Sequence, residues 1–191
     1  MTTPEQDALA AAATQADRAA ERGGMRPSLD AIWDALARVP DPEIPVVSVV
    51  ELGIVRAVEW TDAGLAVRVT PTYSGCPATE LIADGIRAAL ADAGVIDAEV
   101  TTVLSPAWTT DWIAPEARAK LAAFGIAPPG RAAARIDVAG ISPLRRAPDE
   151  VACPRCGSTR IALLAQFGST ACKALYRCES CREPFDYFKP H

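Results

Sequence analysis

Apolar residues change their spacing several times along this chain, and each change marks an element. Leu29, Ile32, Trp33 and Leu36 recur at helical intervals behind Ser28, a residue suited to an N-cap, and Pro40 and Pro42 stop the run. Between Gly53 and Trp60, Ile54, Val55, Val58 and Trp60 stand among polar positions. Thr61-Asp62-Ala63-Gly64 then supplies turn residues before Leu65-Ala66-Val67-Arg68-Val69, which predicts a β-hairpin. From Ala78 to Ala93 the helical period returns, with Leu81, Ile82, Ile86, Ala89 and Leu90 on one face and Gly94 suited to end it. Ala98 to Leu104 offers a third strand. The order helix, strand, strand, helix, strand over about residues 28 to 105 predicts an α+β layer of helices against one sheet.

Beyond that layer, Pro106 to Trp112 reads as a loop whose two indoles, Trp108 and Trp112, close the core or line a partner surface. Pro115 to Phe124 reads as a short helix with proline in its first turn. Residues 125 to 150 are rich in Pro, Arg and Ala, with Ile136, Val138 and Ile141 as a short strand and Pro143 to Pro148 as a linker. Residues 1 to 27 are alanine-rich without a large apolar stripe and are expected to form a flexible leader. The expected division is therefore 1–27 leader, 28–126 α/β domain, 127–150 linker and 151–191 a small terminal module.

Cysteine spacing defines that module. Cys153-Pro154-Arg155-Cys156 and Cys178-Glu179-Ser180-Cys181 are two Cys-x-x-Cys knuckles with 21 residues between them, and the chain has two other cysteines, Cys76 and Cys172. Four thiols so spaced predict one tetrahedral metal site in a short antiparallel ribbon, the metal replacing the core that so small a module lacks. Zn is the expected ion; a rubredoxin-type iron, an iron-sulfur cluster or a redox dithiol pair are the alternatives.

In the 191 residues no apolar run approaches the roughly 20 that a bilayer span requires. The amino terminus lacks the basic and leucine-rich segments of a secretory signal, so the cytoplasm is the expected compartment, where clustered thiols bind metal more often than they pair. The formal net charge is −5, yet the stretch from Val151 to His191 carries six Lys or Arg against three acids. Six basic residues are a thin basis for binding nucleic acid.

In the body, Thr70-Pro71-Thr72-Tyr73-Ser74-Gly75-Cys76-Pro77 lies between the second strand and the second helix. With Pro77 at the first helical position, Cys76 falls at the N-cap, where the helix dipole lowers a thiol pKa and suits the sulfur to nucleophilic, redox or soft-metal chemistry. A small buried residue at a strand-to-helix turn is the alternative. Asp41-Pro42-Glu43-Ile44-Pro45 stiffens an acidic loop in which Asp41 and Glu43 bind a metal or a basic partner, or else cap a turn and face solvent. The one histidine, His191, ends the chain, which excludes a Ser-His or Cys-His dyad inside the body. The same inventory excludes a di-iron site built on Glu-x-x-His pairs. Cys172 is either a spare ligand for the knuckles or a strand residue packed under Phe167 and Tyr176.

The body, with Asp-Pro-Glu-Ile-Pro at 41 to 45, Glu51-Leu52-Gly53 and Thr72 to Pro77, resembles the small α/β domain of iron-sulfur assembly accessory proteins of the SufT type. The tail resembles the carboxyl terminus of the PaaD family, a component of the bacterial phenylacetyl-CoA epoxidase system, through Cys153 to Ser158, Phe167 to Thr170, Cys172-Lys173, Tyr176 to Cys178 and Glu183 to Lys189. The resemblance implies an accessory role in aerobic phenylacetate catabolism, helping to assemble metal or iron-sulfur centres rather than catalysing the oxygenation. It implies Cys76 as the contact for a transient Fe-S cluster or iron, and the iron-sulfur reductase or the oxygenase subunits as partners. A non-catalytic scaffold or interaction module of the same complex is the alternative, and a nucleic-acid-binding zinc-ribbon protein is a further one. Pro190 stands where the family is expected to carry a cysteine before the last His.

Overall fold

The computed structural model describes residues 26–130 and 151–190. Most of the expected leader, the strand expected at Ile136, Val138 and Ile141, the Pro143 to Pro148 linker and His191 lie outside those residues.

Helix α1 (Leu29–Leu36) starts where the pattern places it: the Ala31 N–H donates to Ser28 Oγ at 3.2 Å, and Ile32, Ala35 and Leu36 are buried while Leu29 stays at the surface. Strands β1 (Val55–Thr61) and β2 (Gly64–Val69) form the hairpin, with Thr61 opposite Gly64 across the turn. Val55 and Val58 are both buried although three residues apart, which a regular strand with its period of two forbids. The register explains it: Val55 faces Val69 and Ala57 faces Arg68, so Arg56 is the extra residue of a bulge. The freed Arg56 guanidinium stacks 3.3 Å from the centroid of a Trp112 ring.

Helix α2 (Thr79–Asp92) carries the chain over to β3 (Glu99–Thr102), which pairs parallel to β2. Its buried face is Ile82, Ala83, Ile86 and Leu90; Leu81, expected on that face, is exposed, one position or about 100° off the stripe. β3 ends at Thr102, short of the expected Leu104, which is also exposed. A 3₁₀ turn (Thr110–Trp112) then leads to α3 (Pro115–Phe124), with proline in its first turn as expected and Gly125 in the left-handed conformation after it, φ 93°.

The second sheet is the ribbon, with an addition that the pattern does not show. β5 (Ile161–Ala165), β6 (Lys173–Cys178) and β7 (Pro184–Phe188) are antiparallel neighbours, and β4 (Ile126–Ala127), which follows α3, pairs parallel to β7 at the sheet's edge. The ribbon therefore takes a strand from the end of the body. Its own small core holds Val151, Tyr176, Phe185 and Tyr187. Phe188 and Cys172 instead join the larger core of the body, where the Phe188 ring lies 5.9 Å from that of Trp108. Trp108 is anchored from beneath, its Nε1–H donating to the Leu52 carbonyl at 2.9 Å. It thus closes the body's core and receives the ribbon at once.

Candidate functional site

The two knuckles meet. Cys153 Sγ is 3.7 Å from Cys181 Sγ, Cys156 Sγ is 3.6 Å from Cys178 Sγ, and all four sulfurs lie within 4.8 Å of one another. A tetrahedron of metal–sulfur bonds near 2.3 Å has edges of about 3.8 Å, so the set fits one thiophilic ion. Disulfides, at roughly 2.05 Å, do not fit these separations, and a polynuclear cluster, whose several irons each take their own thiolates, would need the sulfurs further apart.

Each knuckle is closed by a residue at positive φ directly after its second cysteine: Gly157 at 73°, where its N–H donates to the Cys153 carbonyl, and Arg182 at 70°, where its N–H donates to the Cys178 carbonyl. The Cys181 N–H donates to Cys178 Sγ at 3.5 Å. That bond, opposed by desolvation but helped by the Ser180 N–H and the neighbouring thiols, pulls the Cys178 thiol down to about 6. Cys181 receives a hydrogen bond from the Glu183 backbone, which burial and its three sulfur neighbours outweigh, pushing it up to about 12. Four thiolates so close repel one another, and a divalent cation is the charge that lets all of them ionise.

The acidic loop is built from within. Asp41 is buried, and its Oδ1 accepts the N–H groups of Glu43 at 2.9 Å and Ile44 at 2.8 Å. Burial pushes its carboxyl above the usual range, against the pull of those two bonds and of Lys173. Glu43 is half-buried. The neighbouring Glu51-Leu52-Gly53 motif is architectural: Ser48 N–H donates to Glu51 Oε2 at 2.9 Å and Glu51 N–H to Ser48 Oγ at 3.1 Å, a reciprocal cap. Gly53, at φ 68°, lies where a Cβ would come within 2.7 Å of the Trp112 Cβ and backbone oxygen.

Cys76 does not sit at the N-cap. Ala78 holds that place, α2 begins at Thr79, and Pro77 with Ala78 forms a turn ahead of the helix. The expected lowering of its pKa is reversed: burial pushes the half-exposed thiol up, and the carboxylates of Glu43 and Asp41 add to that, outweighing hydrogen bonds from the Ala78 backbone and the Thr79 side chain. Nothing in the one-dimensional pattern places the acidic loop beside this thiol. The fold does.

Cys172 is not part of the knuckle group. It sits just before β6, buried against the body, with its Sγ 3.1 Å from Thr170 Oγ1 and 3.9 Å from Glu43 Oε2. It joins the body's core cluster and not the ribbon cluster that holds Tyr176, and Phe167 is exposed. Its thiol is raised by burial, and the charges of Glu43, Lys173 and Asp41 all reach it. Lys173, 4% exposed and 3.7 Å from Asp186, is a residue that sequence reasoning passes over; a lysine between Cys172 and Ala174 at the start of an apolar strand is the signal it leaves.

Comparison with known proteins covers both parts. The model of the family described as iron-sulfur cluster assembly protein matches residues 29–104, and that of the PaaD zinc beta ribbon domain matches residues 140–189. The chain is 51% identical over 163 residues to the Escherichia coli (strain K12) protein named as the D component of 1,2-phenylacetyl-CoA epoxidase, covering 85% of this chain and 93% of that one. It is 42% identical over 82 residues to the Fe-S protein maturation auxiliary factor YitW of Bacillus subtilis (strain 168), covering 42% of this chain and 79% of the relative. It is 39% identical over 85 residues to the Fe-S protein maturation auxiliary factor SufT of Staphylococcus aureus (strain USA300), covering 44% and 96%. The iron-sulfur assembly match ends before the ribbon begins, the ribbon match accounts for the four converging sulfurs, and the E. coli relative spans both: the chain belongs to the PaaD family of phenylacetyl-CoA epoxidase components.

Proposed function

We propose that this chain is a non-catalytic accessory subunit of aerobic phenylacetate catabolism that assists assembly of the metal or iron-sulfur centres of the phenylacetyl-CoA epoxidase system. In this reading the domain of residues 28–126 handles the cargo and the module of residues 151–191 holds a structural Zn²⁺ on Cys153, Cys156, Cys178 and Cys181. Cys76 contacts iron or a cluster in transit, and the loop of Asp41 and Glu43 faces the client, either the iron-sulfur reductase or an oxygenase subunit. The cytoplasm is its compartment; among the described residues no helix is long and apolar enough to cross a membrane.

The observation that carries the reading is the Cys76 thiol itself, half-exposed and raised beside two carboxylates. Such a thiol stays protonated at neutral pH and makes a poor nucleophile. It yields its proton to solvent when a cation takes its place, as transient metal binding requires.

Exposed Leu163, Leu164 and Phe167, on and just beyond the edge strand β5, favour a second reading in which the protein only holds components together and Cys76 is inert. One variant separates them. Metal and acid-labile sulfide are measured in protein purified without oxygen, and cluster content in the client reductase, for the native chain and Cys76→Ser. Transit predicts that Cys76→Ser keeps about one zinc per chain but loses iron and leaves the reductase short of cluster. Unchanged cluster content sinks the transit reading in favour of the scaffold.

A further inference from the structure

The knuckle sulfurs are closed and self-sufficient. A second group of donors is open, and it is shared between the two parts of the protein. Glu43 comes from the acidic loop, Cys76 from the turn before α2, and Cys172 from the ribbon; Cys172 Sγ stands 3.9 Å from Glu43 Oε2. Both thiols feel the same two carboxylates, Glu43 and Asp41, and burial raises both. Asp41 Oδ1 already accepts two backbone N–H groups, so its task is to fix the loop, which leaves Glu43 as the carboxylate available for a ligand.

Among the described residues only the knuckle sulfurs lie within 4.8 Å of one another as a ready metal group. The second group is not closed as it stands: Cys172 is buried in the body's core cluster, Cys76 packs against that same cluster, and Glu43 is half-buried, so ligation requires the Glu43 and Cys76 side chains to turn onto Cys172. Closed four-thiolate sites hold structural ions, and open sites with fewer protein ligands leave room for a ligand supplied by something else. Two thiols and a carboxylate from separate segments offer ferrous iron a mixed soft and hard set.

We infer that Cys172, Cys76 and Glu43 together form an interdomain binding site for ferrous iron, in which the ribbon supplies a ligand to the cargo rather than serving as a docking module alone. The inference rests on the reading of Cys76 as a cargo contact. When iron binds, two thiols each release one proton to solvent and two Fe–S bonds form with no change in oxidation state. The remaining coordination positions stay open for hand-over to the client.

The test is an anaerobic Fe²⁺ titration of the full-length, zinc-loaded protein against a competing chelator, with zinc content and tryptophan-detected unfolding as controls on the fold. The native chain is expected to take one iron beyond its zinc, and Cys172→Ser, Cys76→Ser and Glu43→Gln each to weaken it by at least about tenfold while zinc is retained. Glu43→Gln, on a half-exposed loop, keeps the test decisive should Cys172→Ser disturb the seam. Iron affinity unchanged in Cys172→Ser but lost in Cys76→Ser overturns the interdomain site and leaves the Cys76 reading standing. A native chain that takes no second metal ion also overturns it. Cluster content of the reductase in cells carrying Cys76→Ser then judges the broader reading by itself.

Discussion

Phe188→Ala tests whether the ribbon is seated on the body or merely tethered to it. The ring is 1% exposed and packs with the body's core against Trp108, 5.9 Å between centroids. Truncating a buried phenylalanine costs about 3–5 kcal/mol. In a chain of this length each kcal/mol moves the melting temperature by roughly 2–4 °C, so a fall of about 10 °C is expected. The assay separates the two parts because all four tryptophans, Trp33, Trp60, Trp108 and Trp112, lie in the body, while release of the knuckle metal to a chromogenic chelator reports the ribbon. Phe188→Ala should bring the tryptophan-detected transition down together with metal release. Phe185→Ala, in the ribbon's own cluster, should advance metal release with a smaller effect on the tryptophans. A tryptophan transition that stays within about 2 °C of native in Phe188→Ala would refute the seam.

Three further outcomes follow from particular geometries. Arg182 closes the second knuckle at φ 70° where the first uses Gly157, and a side chain in that region costs about 1–2 kcal/mol; Arg182→Gly should therefore slow metal loss to a chelator in warm solution, and faster loss would contradict it. Gly53→Ala meets the Trp112 backbone at 2.7 Å on top of an unfavourable φ of 68°, so the urea midpoint should show a loss of about 2–4 kcal/mol, with a loss under about 1 kcal/mol disproving the close approach. Desolvation tends to raise the Glu51 carboxyl, but Lys120 at 2.6 Å and the Ser48 N–H together hold it below its ordinary 4.5. Its contribution is therefore present above that value and lost as pH falls through the lowered one. Glu51→Gln keeps an acceptor for Ser48 and loses the ion pair, which is largely solvent-screened, so the two proteins should differ by under about 1 kcal/mol at pH 7 and converge once the pH has fallen below the lowered pKa; a gap that persists in strong acid contradicts the sign.

Local chemistry in the chain is legible where one segment decides the outcome. Ser28, the Thr61 to Gly64 turn, Pro115 and Gly94 each carry a backbone preference that no distant contact overrides, and the Cys-x-x-Cys spacing brings its own sulfurs together. Legibility fails where a second segment intervenes. Val55 and Val58 share a face because of a bulge that periodicity cannot show, and Leu81 fits a helical stripe that the sheet does not cover. Cys76 is the sharpest case. The Cys-Pro step suggests a helix cap and an acidic thiol, yet an intervening turn moves the sulfur off the helix end and the fold lays carboxylates from Asp41 and Glu43 near it, which reverses the shift. Sequence proximity ties Cys172 to the knuckles or to the aromatic residues around it, whereas the fold gives it Glu43, 129 residues away, as a neighbour.

These two reversals bear on each other. A thiol made acidic by a helix end would be ionised in the free protein and exposed to oxidants and to any passing metal. A thiol held protonated by burial and by carboxylates ionises only when a cation arrives to offset both, so binding is coupled to proton release and weakens as pH falls. That coupling is what the proposed transit of iron or a cluster through Cys76 requires, since the cargo must be let go. The knuckles differ in geometry, with the sulfur edges already at 3.6 and 3.7 Å, so that little rearrangement stands between the free ligands and the bound ion. A zinc ion held on these four sulfurs would compete poorly for Cys76 and Cys172, because moving it there would break four bonds to make at most three. On the proposed reading, the same chain keeps a structural zinc in place while iron passes through a separate site, provided that the ribbon stays seated and Cys172 is held against Glu43.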